Sequence, residues 1–500
     1  MSRPIATRVL VGSLGALIAT VAALASADAA PAAVARASWS MVDMTKDIDH
    51  DGFIDGDGGV PKSGALSLTP SPVSIGAGNH LAQRNERLIN GALSWYLSPQ
   101  GFPVTLDACG STGTSYSWRL TNATTGVTTP VASTPLTKQR CRTRVTLPEG
   151  AYTFALTVRS GASSTSTSVP AEVRNILMVA MGDSYASGEG NPRNVDAWVT
   201  QGGFLSSFRP YWDHDACHRS VHGAPAQAAL ALERSSPQTS VALVDVTCSG
   251  ATVQRGILGP QPEAGQSQVA LARSLVGTLP VDLVTLSIGG NDIGFGSVLS
   301  SCLLNANCPL VPAASGVLQR YPSLQAGVAD QTAKLPAAYR EIAACLSGRT
   351  CPDGLRLAPG AAVLPTLYPD ISRNSNGAMC SYLSMGTQDF TWARAAILNP
   401  TPPASVTYAT TNQGTKTLPI AATLNQQIAA TTALGWKPVL QAWSRSGDSA
   451  QGHGICAGAN AWVWGVQLGG QMIGAAFHPN QPGERQLAAA IVEAAKSALG

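Results

Sequence analysis

Three short motifs, far apart in the chain, contain residues that could together catalyse acyl transfer. They are Gly182-Asp183-Ser184, Gly289-Gly290-Asn291-Asp292 and His478-Pro479-Asn480. A serine hydroxyl can act as a nucleophile, and a histidine can accept its proton. An asparagine amide can donate a hydrogen bond to the oxyanion that forms during the reaction. Each motif alone is a common turn or loop sequence, whereas the three together indicate a hydrolytic site.

These motifs need an architecture that brings them together. Short continuous apolar runs, typical of strands buried on both faces, occur at 176–181, 241–246, 283–288, 361–367 and 437–442. Helical patterns alternate with them at 224–232, 269–279, 324–345, 421–434 and 483–499. The alternation predicts a three-layer α/β/α sandwich with a parallel sheet over residues 174–500. In such sheets the site lies at the carboxyl ends of the strands.

The predicted strand ends coincide with the candidate residues. Ser184 follows the first strand and Asn291 follows the third. Gly250 comes after the second strand, where its backbone N–H could be a further oxyanion donor. His478 lies just before the last helix, in a position from which it could accept the Ser184 proton.

The N-terminus has the features of a secretory signal peptide over residues 1–27. Arg3 and Arg8 precede an apolar stretch, and small residues that suit cleavage follow it at 25–29. A retained membrane anchor is the alternative, although glycine, serine and threonine interrupt the apolar run. No later segment is long and apolar enough to span a bilayer. We therefore expect a secreted, extracellular protein.

Charge and cysteine content exclude other classes. The net charge is +3 and only 12% of residues are charged, with no basic run, so a nucleic-acid partner is not expected. The ten cysteines suggest disulfides in an exported chain, and their spacing is wrong for zinc. We expect a monomer without a catalytic cofactor.

Residues 28–63 form an Ala-rich and then Asp-rich linker that contains one candidate metal site. Carboxylates at alternate positions, with a glycine at the sixth, resemble the calcium loop of an EF-hand or a thrombospondin type 3 repeat. The candidate ligands are Asp47, Asp49, Asp51 and Asp55. Gly58 stands where an EF-hand has its bidentate glutamate, so the expected role is a weak structural calcium site. An acidic, solvated linker is the alternative.

Residues 64–172 are expected to form a small all-β sandwich. Apolar and polar residues alternate at 115–120 and 152–158, between turns rich in Thr, Ser and Gly. We expect Cys109 and Cys141 to be bridged across this sandwich. The stretch resembles a bacterial Ig-like or PKD-like module through residues 106–111, 116–118 and 150–153.

The motifs of the C-terminal region resemble those of the SGNH, or GDSL, hydrolases. The Ser block is residues 182–190, the Gly block 248–252, the Asn block 289–295 and the His block 477–480. Supporting matches are Cys217-His218-Arg219-Ser220, Tyr368-Pro369 and residues 452–456. The likeness is greatest to secreted actinobacterial esterases and lipases of this family, and it covers about residues 174–500.

The resemblance implies roles for individual residues and a flavodoxin-like fold. Ser184 would be the nucleophile and would also contribute its N–H to the oxyanion hole, which Gly250 and Asn291 would complete. His478 would be the base and then the acid that protonates the leaving alcohol.

The chain departs from the family at the residue that orients the histidine. Many members have an Asp three residues before the His, where this chain has Ala475. Asp183 belongs to the Ser block and is not expected to take that role. We expect a Ser184–His478 dyad, with a main-chain carbonyl near Ala475 accepting from Nδ1–H. An Asp from elsewhere, such as Asp448, is the alternative.

The cysteine pattern of the family also implies pairings. Cys217–Cys248 would connect two loops beside the site, and Cys380–Cys456 would brace the loop before the His block. The remaining four cysteines would pair locally, as Cys302–Cys308 and Cys345–Cys351, although three connectivities are open to them.

Three functions are compatible with the sequence. The first is a serine esterase or lipase that cleaves carboxylic esters through an acyl-enzyme, and residues 462–477 would either line its acyl pocket or pack in its core. The second is a carbohydrate O-deacetylase of the same family, with the β-sandwich as a glycan-binding module. The third is a non-catalytic envelope or adhesion protein, which only the missing triad Asp supports.

Overall fold

The computed structural model describes residues 32–45, 53–54, 101–192, 194–197, 208–305, 307–349, 351, 354–410, 414–443, 452–466 and 474–500. The expected signal peptide and the four candidate calcium ligands, Asp47, Asp49, Asp51 and Asp55, lie outside these residues. Asp448, the alternative partner of His478, also lies outside them.

The N-terminal half of the described chain contains two antiparallel sheets, with strand orders β1-β2-β5 and β4-β3-β6-β7. Their strands are β1 (Ser38–Met41), β2 (Phe102–Asp107), β3 (Ser115–Asn122), β4 (Thr128–Pro135), β5 (Arg142–Leu147), β6 (Gly150–Ser160) and β7 (Ser163–Val173). The sheets contact each other through Trp39 of β1 and Phe154 of β6, whose ring centroids are 5.7 Å apart. Strand β1 lies within 28–63, so the expected linker does not extend over these residues.

Alternation of residue types explains the core between these sheets. Trp118 and Leu120 on β3 are buried, and so are Leu156 and Val158 on β6, while the residues between them are more exposed.

The expected disulfide between Cys109 and Cys141 is present, but the expectation that it crosses the sandwich is wrong. Cys109 follows β2 and Cys141 precedes β5, and these two strands are neighbours in the same sheet. The bond therefore joins adjacent strand ends, because the register of β2 and β5 brings Asp107 opposite Arg142.

The C-terminal part is a mixed α/β domain built on a four-stranded parallel sheet of order β11-β8-β12-β13. These strands are β8 (Asn175–Gly182), β11 (Ser240–Asp245), β12 (Val281–Ser287) and β13 (Leu357–Pro365). Most of their residues are buried, as the continuous apolar runs predicted. Two antiparallel pairs stand apart from this sheet, β9 (Asn194–Ala197) with β10 (Phe208–Tyr211), and β14 (Ser405–Ala409) with β15 (Thr415–Pro419).

Eight α-helices accompany the sheet in the described residues. They are α1 (Ser184–Ser187), α2 (Ala224–Glu233), α3 (Gln268–Val276), α4 (Phe295–Leu304), α5 (Leu324–Leu346), α6 (Thr387–Ala393), α7 (Leu424–Ala429) and α8 (Gln481–Leu499). Short 3₁₀ turns occur at Asp215–Cys217, Cys308–Leu310, Ala430–Leu434 and Gly458–Asn460, and a π-helical turn at Arg394–Leu398. Helices α2 and α8 pack on each other and on the sheet, and α3 contacts β8 and β11.

The fifth predicted strand, at 437–442, is reduced to one parallel bridge between Thr366 and Val439. Lys437 and Val439 donate backbone hydrogen bonds to the β13 side, at 2.8 and 2.7 Å. The ladder ends there because the chain turns directly after Val439, where the Ala442 N–H donates to the Val439 carbonyl at 3.2 Å.

The N-terminal segment is joined to the α/β domain by a buried carboxylate. Glu233, at the end of α2, is 3% exposed and accepts the N–H groups of Met44, Thr45 and Val241. Burial raises the pKa of Glu233 to about 8, against the lowering effect of those N–H donors.

Among the described residues, no helix combines the length and the apolar character that a membrane span requires.

Replacing Glu233 by Gln is expected to change how stability depends on pH. The pKa of Glu233 in the folded protein lies above its ordinary value, so its contribution is complete below about 4.5 and is lost as pH rises through about 8. Wild type should therefore lose on the order of 1–3 kcal/mol relative to Glu233→Gln between pH 5 and pH 9. Melting temperatures of both proteins at the two pH values measure this, with Glu172→Gln on the exposed side of β7 as control. A difference that stays constant with pH would contradict it.

Candidate active site

Ser184 is presented by a tight turn between β8 and α1. Gly182 ends the central strand with φ of 149°, and a Cβ there would lie 2.5 Å from the Ser287 carbonyl oxygen, so only glycine fits. Asp183 caps α1 by accepting the Tyr185 N–H at 3.0 Å. Ser184 is 7% exposed and opens the helix directly after this cap.

His478 lies 2.8 Å from the nucleophile, measured from Nε2 to Ser184 Oγ, although 294 residues separate the two in sequence. It precedes α8, whose N-cap Asn480 accepts the Gly483 N–H at 3.1 Å. Its backbone carbonyl accepts the Trp464 N–H, which ties the His segment to the preceding loop. The geometry is that of a base able to take the serine proton.

Residues of the Ser block hold the His segment in place. The Tyr185 hydroxyl donates to the Phe477 carbonyl at 2.8 Å, and the Asn191 amide donates to the Pro479 carbonyl at 2.7 Å. These carbonyls flank His478 on both sides. Phe477 has φ of 66°, in a region that few residues other than glycine adopt, so the bond from Tyr185 stabilises an unfavourable backbone conformation.

The second nitrogen of the histidine faces main chain rather than a carboxylate. The carbonyl groups of Gly474, Ala475 and Ala476 favour the protonated ring, but no described residue meets Nδ1 in hydrogen-bond geometry. The expected carbonyl near Ala475 is therefore present beside the ring without a hydrogen bond to it. Burial lowers the pKa of His478 below its usual value, while Glu189 and these carbonyls oppose the shift. The imidazole is thus neutral near pH 7, as a base must be.

Gly250 and Asn291 line the same pocket as Ser184 and His478. Gly250 has φ of 78°, and Asn291 donates one amide hydrogen to the Ala251 carbonyl at 2.9 Å, which leaves the other available. Strands β11 and β12 flank β8, so the loops that follow all three strands meet at one edge of the sheet.

Asp183 connects the strand ends that carry the site through hydrogen bonds. It accepts hydrogen bonds from the hydroxyls of Tyr368 and Ser287, and Tyr368 in turn accepts the Gly290 N–H at 3.0 Å. Burial raises the pKa of Asp183 to about 7, against the lowering effect of these donors. The network connects the ends of β8 and β12 with the segment after β13. It gives Asp183 a structural role apart from the histidine.

The pocket has a volume of about 350 Å³. Its lining includes apolar side chains, such as Phe295 and Leu299 of α4 and Ala476, as well as the polar side chains of Glu189 and His218. Residues 462–477 were expected to line an acyl pocket or pack in the core. In the described part of this segment, Val463 and Phe477 are in the core, whereas Gly474 and Ala476 line the pocket. Leu468, Met472 and Ile473 lie outside the described residues.

Sequence reasoning placed Glu189 and His218 in motif blocks without a role. The His218 Nδ1–H donates to Glu189 Oε2 at 2.7 Å. The available sequence signal was the position of Glu189, five residues after Ser184. Its partner His218 lies 29 residues further along the chain. The pairing becomes visible only in three dimensions.

Five disulfides are present, in the pairs that the sequence analysis expected. Cys217–Cys248 joins the loop of His218 to the loop of Gly250, and the Ser249 N–H donates to the Cys217 carbonyl at 3.0 Å. Cys380–Cys456 spans 76 residues, and Cys302–Cys308 and Cys345–Cys351 close local loops. The described residues contain no group of three or more His, Cys, Asp or Glu side chains placed to hold a metal ion.

Comparison with known proteins gives structural neighbours only. No protein-family model matches the chain, and no curated protein matches it. An extracellular lipase from Streptomyces rimosus is 21% identical, with a TM-score of 0.37, over 65% of this chain and 99% of that chain. A phospholipase A1 from Streptomyces albidoflavus is 20% identical, with a TM-score of 0.37, over 64% and 98%. An acetyl xylan esterase from Butyrivibrio proteoclasticus is 12% identical, with a TM-score of 0.24, over 80% and 90%. Values this low leave the functional conclusion to the site itself.

Removal of the Tyr185 hydroxyl should impair the histidine without removing it. Tyr185→Phe leaves the Phe477 carbonyl without its donor, so the strained segment relaxes and His478 moves away from Ser184. If Ser184 and His478 catalyse acyl transfer as the motifs predict, kcat for p-nitrophenyl acetate should fall roughly ten- to a hundred-fold with little change in KM. Tyr116→Phe is the matched control, because it removes another tyrosine hydroxyl bond, to Thr143, far from the site. Equal kcat in the two variants would refute the positioning role.

Proposed function

We propose that the protein is an exported serine ester hydrolase of the SGNH type, with Ser184 as nucleophile and His478 as base. The 2.8 Å contact between His478 Nε2 and Ser184 Oγ, in a pocket shared with Gly250 and Asn291, is the observation that supports this most directly. The flavodoxin-like three-layer sandwich is the proposed fold of the α/β domain. The disulfides and the expected signal peptide support export.

In the proposed reaction His478 removes the Ser184 proton as Oγ attacks the ester carbonyl carbon. The carbonyl oxygen becomes an oxyanion, which the N–H groups of Ser184 and Gly250 and the Asn291 amide stabilise. When the tetrahedral intermediate collapses, His478 gives the proton to the leaving alcohol, and the acyl group stays on Ser184. Water activated by His478 then attacks the acyl-enzyme, which releases the carboxylic acid and restores the hydroxyl.

A carbohydrate O-deacetylase is the second candidate. The half-exposed His218 in the pocket lining favours it, because its ring offers a hydrogen-bond partner to the hydroxyl groups of a polar alcohol. The third candidate, a non-catalytic envelope or adhesion protein, has no need for a serine and a histidine in hydrogen-bond contact. The geometry of the dyad therefore argues against it.

Variants of the dyad and the oxyanion donor should differ in a defined way. We expect Ser184→Ala to lower kcat by about 10⁶-fold and Asn291→Ala by roughly 10²–10³-fold, with little change in KM. Initial rates on p-nitrophenyl esters from acetate to palmitate measure both. Ser300→Ala, an exposed serine of α4, is the control. Full activity in Ser184→Ala would refute the proposed nucleophile.

The same ester series separates the candidate functions. Activity confined to acetate, together with release of acetate from acetylated sugars, would favour the deacetylase. An optimum at longer acyl chains would favour an esterase or lipase. No hydrolysis of any ester by disulfide-bonded wild type would leave the non-catalytic function.

We further propose that Asp47, Asp49, Asp51 and Asp55 hold a structural calcium ion. The described residues on either side of this stretch pack against the folded protein, so an ion bound between them would bind the folded state. Ile54 is buried, and the ring of Phe53 lies 4.0 Å from that of His222, while Thr45 donates its hydroxyl to the Val241 carbonyl.

Calcium at millimolar concentration is expected to raise the melting temperature of the full chain by a few degrees, because it binds the folded state. Asp51→Asn should remove this increase, and EDTA should reverse it in wild type. Magnesium serves as the control ion. Melting curves that do not respond to calcium would show that the segment is a solvated acidic linker.

A further inference from the structure

The dyad lacks the carboxylate that usually stabilises a protonated catalytic histidine. In the described residues nothing hydrogen-bonds His478 Nδ1. Two carboxylates line the pocket, those of Asp183 and Glu189. Asp183 is unsuited to the task, because its oxygens are engaged by Tyr185, Ser287 and Tyr368 and its pKa is raised to about 7. Glu189 is thus the remaining carboxylate among the described residues that line the pocket.

Glu189 is held against the backbone that precedes the histidine. It follows the left-handed Gly188 at the end of α1, is 5% exposed, and donates its N–H to the Ser184 carbonyl at 3.3 Å. Its Oε1 lies so close to Gly474 that a Cβ at that position would come within 2.7 Å. A side chain at 474 would therefore displace the carboxylate.

The next residue continues this contact. A Cβ on Gly190 would lie 3.0 Å from the Ala475 side chain and 3.2 Å from its Cα, so the two segments touch directly. The carbonyls of Gly474, Ala475 and Ala476 favour the protonated His478 ring. Glu189 thus packs against the segment that leads to the imidazole, and its negative charge also favours the protonated ring.

We propose that the negative charge of Glu189 stabilises protonated His478 through space, as the carboxylate of a triad aspartate would. We further infer that protonated His218 partly cancels the field of Glu189 at His478. The proposal rests on the proposed serine hydrolase function and makes Glu189 a positioning residue. It does not require Glu189 to touch the substrate.

His218 is built to counter the charge of Glu189. Its Nδ1 lies 2.7 Å from Glu189 Oε2, and its ring stacks on Trp212 with centroids 4.9 Å apart and planes 13° apart. The hydrogen bond with Glu189 raises the pKa of His218, and Asp215 adds to the effect. The Cys217–Cys248 disulfide fixes the residue before it. A protonated His218 therefore offsets the field of Glu189 at His478.

Other titratable groups near the histidine are the same in each variant of the test. The ring of Tyr185 lies 4.9 Å from that of His478, and Asp183 lines the pocket. Asp215 faces His218. None of these three groups is altered in the experiment, so differences between variants report the pair itself.

The test compares Glu189→Gln and His218→Gln in the full-length protein, using the pH profile of kcat/KM for p-nitrophenyl acetate. Without the carboxylate charge, the acidic limb should move to lower pH by roughly 0.5 to 1 unit, and kcat should fall about ten-fold. Without the His218 charge, the limb should move to higher pH. A purely structural role predicts loss of activity without these opposite shifts.

Glu172→Gln on β7 is the matched control and should leave the limb in place. A direct readout is the NMR titration of the His478 Cε1 proton in histidine-labelled Ser184→Ala protein with and without Glu189→Gln, assigned with His478→Gln. The pKa should fall when the charge is removed, and an unchanged pKa would overturn the proposal. Loss of hydrolysis in Ser184→Ala with an unchanged limb in Glu189→Gln would refute this inference alone. Full hydrolysis in Ser184→Ala would refute the proposed function on which it rests.

Discussion

The contact between Ser184 and His478 depends on hydrogen bonds that two other side chains donate to the main chain around the histidine. Tyr185 and Asn191, both from the segment that carries the nucleophile, donate to carbonyls on either side of the histidine. A single short segment therefore sets the position of both partners. Because the donors are buried side chains with fixed geometry, a small displacement of one segment would be felt at the other.

The parallel sheet brings the other residues of the site to the nucleophile. Strand β8 is central, and its neighbours β11 and β12 bring Gly250 and Asn291 to the same edge. Close approach of these strand ends requires glycine at 182, where a Cβ would meet the Ser287 carbonyl. Asp183 then connects these ends through hydroxyl donors, and burial favours its neutral form.

Several separate groups, rather than one hydrogen-bonded carboxylate, set the protonation of His478. Main-chain carbonyls face the imidazole, burial favours its neutral form, and Glu189 opposes the effect of burial. A base in this environment is neutral at physiological pH yet is stabilised once it takes up the serine proton. Protonation of His218 weakens the effect of Glu189 on His478, so this effect also depends on the pKa of His218.

The sequence by itself determined the local elements and the strand ends that carry Ser184 and Asn291, because burial on both faces and helical periodicity are written in neighbouring residues. The cysteine pairs of the α/β domain followed from family resemblance. Tertiary structure decided what depends on remote partners: that Cys109–Cys141 joins neighbours in one sheet, that Ser38–Met41 pairs with β2, and that the run at 437–442 forms only one bridge. The pairing of Glu189 with His218 belongs to this second group. Long-range register and the burial of charge leave no periodic signal in the chain, so only the folded structure reveals them.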